Sequence, residues 1–290
     1  MLYIKPNALL EEFRKLDPSI LSIAALAIVV STFLGFVNSY LILARSGEIS
    51  WGRFLTIYWV GWALSLVVPG QVGDVAGISA LLKKHGLDWH TSIGRSLVDK
   101  AISFAVSCLF GLLALSQITE IKERMDFSDT TVLGSTALTV VVFVVVTIIT
   151  TRSEHALARK LRDFAAKVTR EFFYTVQNYP LRLLINSCLT ILKIVVIGLA
   201  YFYTFKAFGY SDLDYLPVIG LAAASGIVAY IPISFNGLGT AELAGIALFS
   251  ALGIAASAVL SAYLTLRFIV MLLAWIPAGG WLLMRRDSTG

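Results

Sequence analysis

Long apolar stretches dominate the chain, separated by short polar ones. A helix needs roughly 20 apolar residues to cross a hydrocarbon core of about 30 Å, and residues 20–43, 132–150, 183–205 and 257–284 meet that need most clearly. Residues 153–180 follow another pattern: Leu157, Leu161, Phe164, Val168 and Phe172 recur at helical spacing, with basic residues on the remaining faces. This predicts an amphipathic helix on the membrane surface, apolar stripe in the acyl boundary and cations toward anionic lipid.

Two further stretches, 54–106 and 215–272, are apolar but interrupted, and they match each other. Each has an apolar helix ending at a proline (Pro69, Pro232), then a glycine-bearing loop (Gly70 and Gly73; Gly237 and Gly239), then an acid (Asp74, Glu242). A short helix and a turn glycine follow, Gly86 or Gly253. Fourteen residues later a cation stands inside a long apolar helix, Lys100 in one case and Arg267 in the other. The equal interval predicts a duplication, with repeats at about 54–117 and about 215–284. Irregular backbone in hydrocarbon costs several kcal/mol per unsatisfied polar group, so both loops must be buried in protein or line a wet cavity.

Composition agrees with this pattern. Of 290 residues, 58% are hydrophobic and 14% charged, and the mean hydropathy is +0.82. This predicts one transmembrane domain in the cell membrane, without a cleaved leader, because Met1–Ser19 mixes charges and has no short apolar core before a cleavage site. Short cytoplasmic loops collect Lys and Arg. That rule places residues 152–182 (Arg152, Arg159, Lys160, Arg162, Lys167, Arg170, Arg182), the 83–95 loop (Lys83, Lys84, Arg95) and the tail (Arg285, Arg286) in the cytoplasm, and 116–129 and 209–215 outside. Topology and anionic head groups account for the net charge of +5, so no nucleic-acid partner is expected.

With these loops placed, the interrupted units become re-entrant hairpins of opposite orientation. The expected fold is an all-α polytopic bundle with two inverted repeats, each holding a proline/glycine-broken hairpin, a plan that recurs in transporters. The alternative is eight full spans in which Pro69 and Pro232 kink spanning helices. Met1–Ser19, with three cations and three acids, does not fix the side of the N-terminus.

The chemistry sits at the breaks. Helix N-termini after Gly73 and Gly239 offer free backbone N–H groups to an anion such as phosphate. Asp74 and Glu242 stand in those first turns, where a carboxylate either caps the helix or takes part in transport by exchanging cation partners or a proton. Lys193 lies mid-span on a stripe with Asn186 and Thr190, and Lys100 shares a face with Ser96, Ser103 and Ser107. A mid-membrane cation costs about 3 kcal/mol, so Lys100, Lys193 and Arg267 should each face a partner or a cavity. A fixed pair, Arg267 with Glu242 or Lys100 with Asp99, competes with a substrate role. His85, His90 and His155 show no metal spacing, Trp51, Trp59, Trp62, Trp89 and Trp281 suit interfacial belts and packing, and no cofactor is expected.

These motifs resemble the lysylphosphatidylglycerol synthase transmembrane region, a family of flippase-like integral membrane proteins, over roughly residues 10–284. Pro69, Gly70, Gly73 and Asp74 match its Pro-Gly-x-x-Gly-[Glu/Asp] motif, and Asp99 and Lys100 echo its acid–arginine pair. Gly237, Gly239, Glu242 and Arg267 match its second motif, Gly-Gly-x-Gly-x-x-Glu with a later arginine. Asn236, Gly77 and Ser103 depart from glycine, arginine and aspartate respectively. No aminoacyl-transfer domain is expected, so the resemblance implies the membrane-transport half alone. The expected function is translocation of an anionic phospholipid or polyprenyl-phosphate-linked lipid. Lys100, Lys193, Arg267 and the glycine loops would bind the head group, and Asp74, Asp99 and Glu242 would pair or gate. A membrane-embedded transferase or phosphatase, or a non-catalytic partner of a lipid-modifying enzyme, is the other reading, and a second copy of the chain is a further partner to consider.

Overall fold

The computed structural model describes residues 4–44, 48–68, 72–117, 156–228 and 237–287. Pro69, Gly70, Pro232, Asn236, His155, the span 132–150 and nearly all of the 116–129 loop lie outside the described residues. Two helices open the chain, α1 (Pro6–Lys15) and α2 (Pro18–Leu43). A short pair follows, α3 (Trp51–Ser65) and α4 (Val72–Lys83), then the long α5 (Trp89–Gln117). Beyond residue 155 come α6 (Ala156–Asn178), α7 (Pro180–Ala207), a second short pair, α8 (Tyr215–Ile227) and α9 (Thr240–Phe249), and the long α10 (Ala256–Asp287). No strand occurs among the described residues.

Helices α2, α5, α7 and α10 through Gly280 are long and apolar enough to cross a membrane. Their outward faces carry Leu26, Leu112, Leu184, Phe268 and Ile276, each more than half exposed, as lipid-facing positions should be. Proline at the first helical position pre-sets φ where no N–H is needed, and it starts α1, α2 and α7. Asp17 caps α2: its Oδ1 accepts from the N–H groups of Ser19 (2.8 Å) and Ile20 (3.4 Å) and from the Ser19 hydroxyl.

Helices α2 and α7 form the antiparallel centre. At one end the Asp17 N–H donates to the Ala207 carbonyl at 2.9 Å; at the other, Arg182 Nη1 donates to Leu41 O at 3.3 Å. The two short pairs pack at these opposite ends. Phe54 of α3 and Leu82 of α4 share one cluster with Phe36, Ile42 and Leu43 of α2. Val218 of α8 and Phe249 of α9 share another with Phe205 of α7 and Phe208. Each short pair leads to its long helix through a glycine in the left-handed region, Gly86 (φ 90°) and Gly253 (φ 74°). Side chains are strained there, so the sequence signal for a turn has a direct backbone cause.

Small residues let the helices approach closely, as membrane interfaces require. A Cβ on Gly220 of α8 would stand 2.2 Å from Ala114 Cβ and 2.6 Å from Phe110 O of α5. Helix α6 crosses α5 at Gly94, where a Cβ would meet the Val168 carbonyl at 2.8 Å. The amphipathic stripe on α6 therefore divides: Val168 is buried against the bundle, whereas Leu161 and Phe164 stay exposed.

Since α5 already begins at Trp89, Arg95 corrects the reading of 83–95 as one basic loop. It lies inside α5, is 2% exposed, and donates to Glu48 Oε2 (2.8 Å), Glu171 Oε1 (3.0 Å) and Leu43 O (2.6 Å). A guanidinium fork can serve three acceptors at once, and this one joins α5, α6 and the end of α2. Trp59 takes a packing position, donating its indole N–H to Leu273 O of α10 at 3.0 Å.

Candidate functional site

The second break shows why a glutamate follows the glycines. Gly237 and Gly239 both adopt positive φ (74° and 82°), turning the chain into α9. One turn on, Glu242 Oε2 accepts the Gly239 N–H at 2.7 Å, closing a cap at the helix start. Its other oxygen, Oε1, receives Arg267 Nε at 2.9 Å and Arg267 Nη2 at 2.7 Å. Glu242 is therefore both a cap and an ion-pair partner, and it is only 4% exposed.

The first break uses the same parts in the same order. Asp74 stands in the first turn of α4 and pairs with Lys100 of α5. Lys100 and Arg267 each stand eleven residues beyond the first residue of their helix, Trp89 and Ala256, so acid and cation meet at equivalent heights in the two units.

Asp99 is not the partner of Lys100, contrary to the pairing considered from sequence. Adjacent helical residues point about 100° apart and do not face each other. Asp99 instead turns into the contact of α2, α5 and α7, where its Oδ1 accepts Asn38 Nδ2 (3.1 Å) and Asn186 Nδ2 (2.9 Å). Asn38 Nδ2 also donates to Thr190 Oγ1 at 2.8 Å.

A cavity of about 390 Å³ lies between the two ion pairs. Lys100, Lys193, Arg267 and Asp74 all line it, contributed by α5, α7, α10 and α4. Lys193 makes no hydrogen bond or ion pair among the described residues, and its Cδ lies near Gly35 of α2. Two carboxylates, Asp74 and Glu242, pair with two of the three cations, and the third, Lys193, has Asp99 within electrostatic reach but not in contact. Hydroxyls from Ser31, Thr32, Ser65, Tyr58 and Tyr263 and the ring of Trp62 complete the polar and aromatic lining. Met271, partly exposed on the outer surface of the bundle, also lines it.

Gly237 and Gly239 shape the start of α9 without lining the cavity, and the backbone of Gly73 lies within α4. Sequence reasoning missed Asn38, Tyr58, Ser31, Thr32, Tyr201 and Tyr263. A polar residue in the middle of an apolar span is costly, and that signal alone would have flagged Asn38. The tyrosines gave none, since aromatic residues are common in membrane helices. Among the described residues no cluster of His, Cys, Asp and Glu could hold a metal ion.

Spanning helices around a deep, charged, hydroxyl-lined cavity define an integral membrane protein of the kind that handles an amphiphile. The chain belongs to the lysylphosphatidylglycerol synthase TM region family, whose model matches residues 1–278. The family ties it to lipid handling. No curated protein and no solved structure matches the chain.

Proposed function

We propose that the protein translocates a lipid with an anionic head group, a phospholipid or a polyprenyl-phosphate-linked lipid, across the cell membrane. The observation that carries this reading is Lys193, a deep cation with no hydrogen-bond or ion-pair partner among the described residues, in a cavity whose other two cations are paired. A phosphate seated there would gain a charge-assisted contact with it. The exposed edge of Met271 gives the acyl or prenyl chains a way to remain in lipid while the head group enters.

Inverted re-entrant hairpins would supply the movement. Three features support them: the ends of α3 and α4 share one cluster, the ends of α8 and α9 share another, and the two clusters lie at opposite ends of the α2–α7 pair. Breaking and remaking the Asp74–Lys100 and Glu242–Arg267 pairs would let either hairpin loosen in turn. Among the described residues the serine and threonine hydroxyls lining the cavity bond backbone carbonyls and not a base, which favours transport over catalysis. The test is head-group flipping in proteoliposomes with labelled phosphatidylglycerol. Lys193→Met, removing one charged contact of about 1.5–3 kcal/mol, should slow flipping about ten- to hundredfold. Unchanged flipping in Lys193→Met and in Arg267→Ala would reject the site.

A further inference from the structure

Most of the buried side-chain atoms that lack a hydrogen-bond partner among the described residues concentrate around Asp99. They include Ser92, Ser96 and Ser103 Oγ and the Oδ1 atoms of Asn38 and Asn186. Ser92, Ser96, Asp99 and Ser103 follow the spacing of one α5 face, and each is at most 6% exposed. A buried unpaired hydroxyl is costly and needs an explanation. Three lie on one stripe and share a single one: Ser92 and Ser96 lead from the start of a spanning helix to a mid-membrane carboxylate, and Ser103 stands one turn beyond it.

We propose that this stripe is a proton path and that Asp99 is its terminus, taking up one proton for each lipid head group admitted. Successive side chains along the stripe are about 5–6 Å apart, a gap one water bridges, and buried waters serve such unpaired polar groups. Asp99 fits the role of acceptor. Among the described residues its hydrogen bonds come from neutral carboxamides, and Oδ1 receives them. Both carboxamide oxygens beside it lack donors, so the cluster has acceptors in excess and a neutral carboxyl would bring the hydrogen it lacks. A bound Na⁺ fits less well, because the carboxamides turn nitrogen, not oxygen, toward the carboxylate.

Charged neighbours set the coupling. Lys193 of α7 feels Asp99, Lys100 and Asp74 electrostatically, with no hydrogen bond or ion pair to them among the described residues; Asp74 is paired with Lys100, and Tyr58 of α3 also lies in the field of Asp99. Arg95, one turn away on α5, is paired with two carboxylates, Glu48 and Glu171 of α6. From α2 and α7 the direct contacts are uncharged, Asn38 and Asn186. When Asp99 is ionised it offsets Lys193; when it is protonated the surplus positive charge is exposed to a phosphodiester of one negative charge. In the step itself a hydronium at the head of the stripe loses a proton through the hydroxyls and waters. An O–H bond forms on Asp99 and no electrons change hands.

The coupling to transport rests on the translocase reading; proton uptake by Asp99 does not, and the two are measured separately. In the full chain reconstituted in phosphatidylcholine, pH-difference infrared spectra should contain a protonated-carboxyl band that is lost in Asp99→Asn and grows when phosphatidylglycerol is added at constant pH. Ser96→Ala should keep the band and slow its appearance at least about fivefold, which keeps the proposal open to refutation if Asp99→Asn fails to fold. A pH gradient across proteoliposomes should raise flipping severalfold in the wild type and not in Asp99→Asn. Spectra identical in wild type and Asp99→Asn, or a response to a Na⁺ gradient in place of a pH gradient, would overturn it. Proton uptake without flipping of any lipid would leave the path standing and defeat the translocase reading.

Discussion

Glu242 carries two jobs on two oxygens, and substitutions can separate them. In Glu242→Gln the amide oxygen still accepts the Gly239 N–H, whereas the charge opposite Arg267 is gone. Glu242→Ala loses the cap as well, and a cap contributes about 1 kcal/mol. Unfolding of the purified protein should therefore show Ala less stable than Gln by about 1 kcal/mol, with both below wild type because Arg267 keeps its charge in a largely buried place. Equal stability of the two variants would mean that the cap contributes nothing. Asp17 gives a pH-dependent counterpart at the membrane edge. The Ser19 hydroxyl, with the Ser19 and Ile20 N–H groups, holds its carboxyl below the ordinary carboxylate range. A depressed value stabilises the folded state above the unfolded group's ordinary range, and that contribution is lost as pH falls through the lowered value. The start of α2 should thus fray on acidification in wild type but show no such pH dependence in Asp17→Ala, as amide exchange at Ser19 and Ile20 would reveal.

Between helices, close approach and charge clamping decide stability, and α8 contains its own control. Gly220→Ala must push α8 off α5, because its Cβ would overlap Ala114 Cβ and Phe110 O, at a cost of about 1–3 kcal/mol. Gly226→Ala in the same helix meets nothing within 4 Å and should be neutral or slightly stabilising. Arg95→Ala leaves Glu48 and Glu171 facing a gap in a buried clamp, a loss of about 3–5 kcal/mol, and limited proteolysis should cut α6 first. The helices were legible in the sequence wherever the signal is local. Gly86 and Gly253 need positive φ, and the fourteen-residue interval to Lys100 and Arg267 follows from equal helix registers. Partnerships across helices were not legible. That Lys100 meets Asp74 while Asp99 meets Asn38 depends on how α4 and α2 lie against α5, and one helix's periodicity leaves its neighbours unspecified. Arg95 read as a loop cation for the same reason: its acceptors come from Glu48 and Glu171, far away in sequence.

For the bundle as a whole, the antiparallel α2–α7 pair fixes the end at which the N-terminal helix packs, which loop charge left open. Met1–Ser19 is electrically balanced, but α1 is tied to the far end of α7: the Phe13 ring packs edge-on against Phe208 at 5.8 Å, and the Asp17 N–H reaches the Ala207 carbonyl. Glu12, buried at the start of α10, accepts from the Ser257 hydroxyl at 3.2 Å and adds negative charge where the helix dipole favours it. The N-terminal helix must then share a membrane face with the acidic 209–215 loop, opposite Lys83 and Lys84. In a chain with Cys108 and Cys188 replaced by Ala, single cysteines at the exposed positions Leu10, Asp212 and Lys84 can be probed with a membrane-impermeant maleimide in sealed vesicles of one orientation. Leu10→Cys and Asp212→Cys should label together from one side, and Lys84→Cys only from the other. The same experiment separates opposed hairpins from eight full spans, because a full crossing by both α3 and α4 leaves Lys84 where it was, whereas it exposes the segment between them. A cysteine at Val68 should therefore stay protected from the reagent on both sides if the hairpin turns back inside the membrane, and rapid labelling from the Leu10 side would show that α3 crosses it.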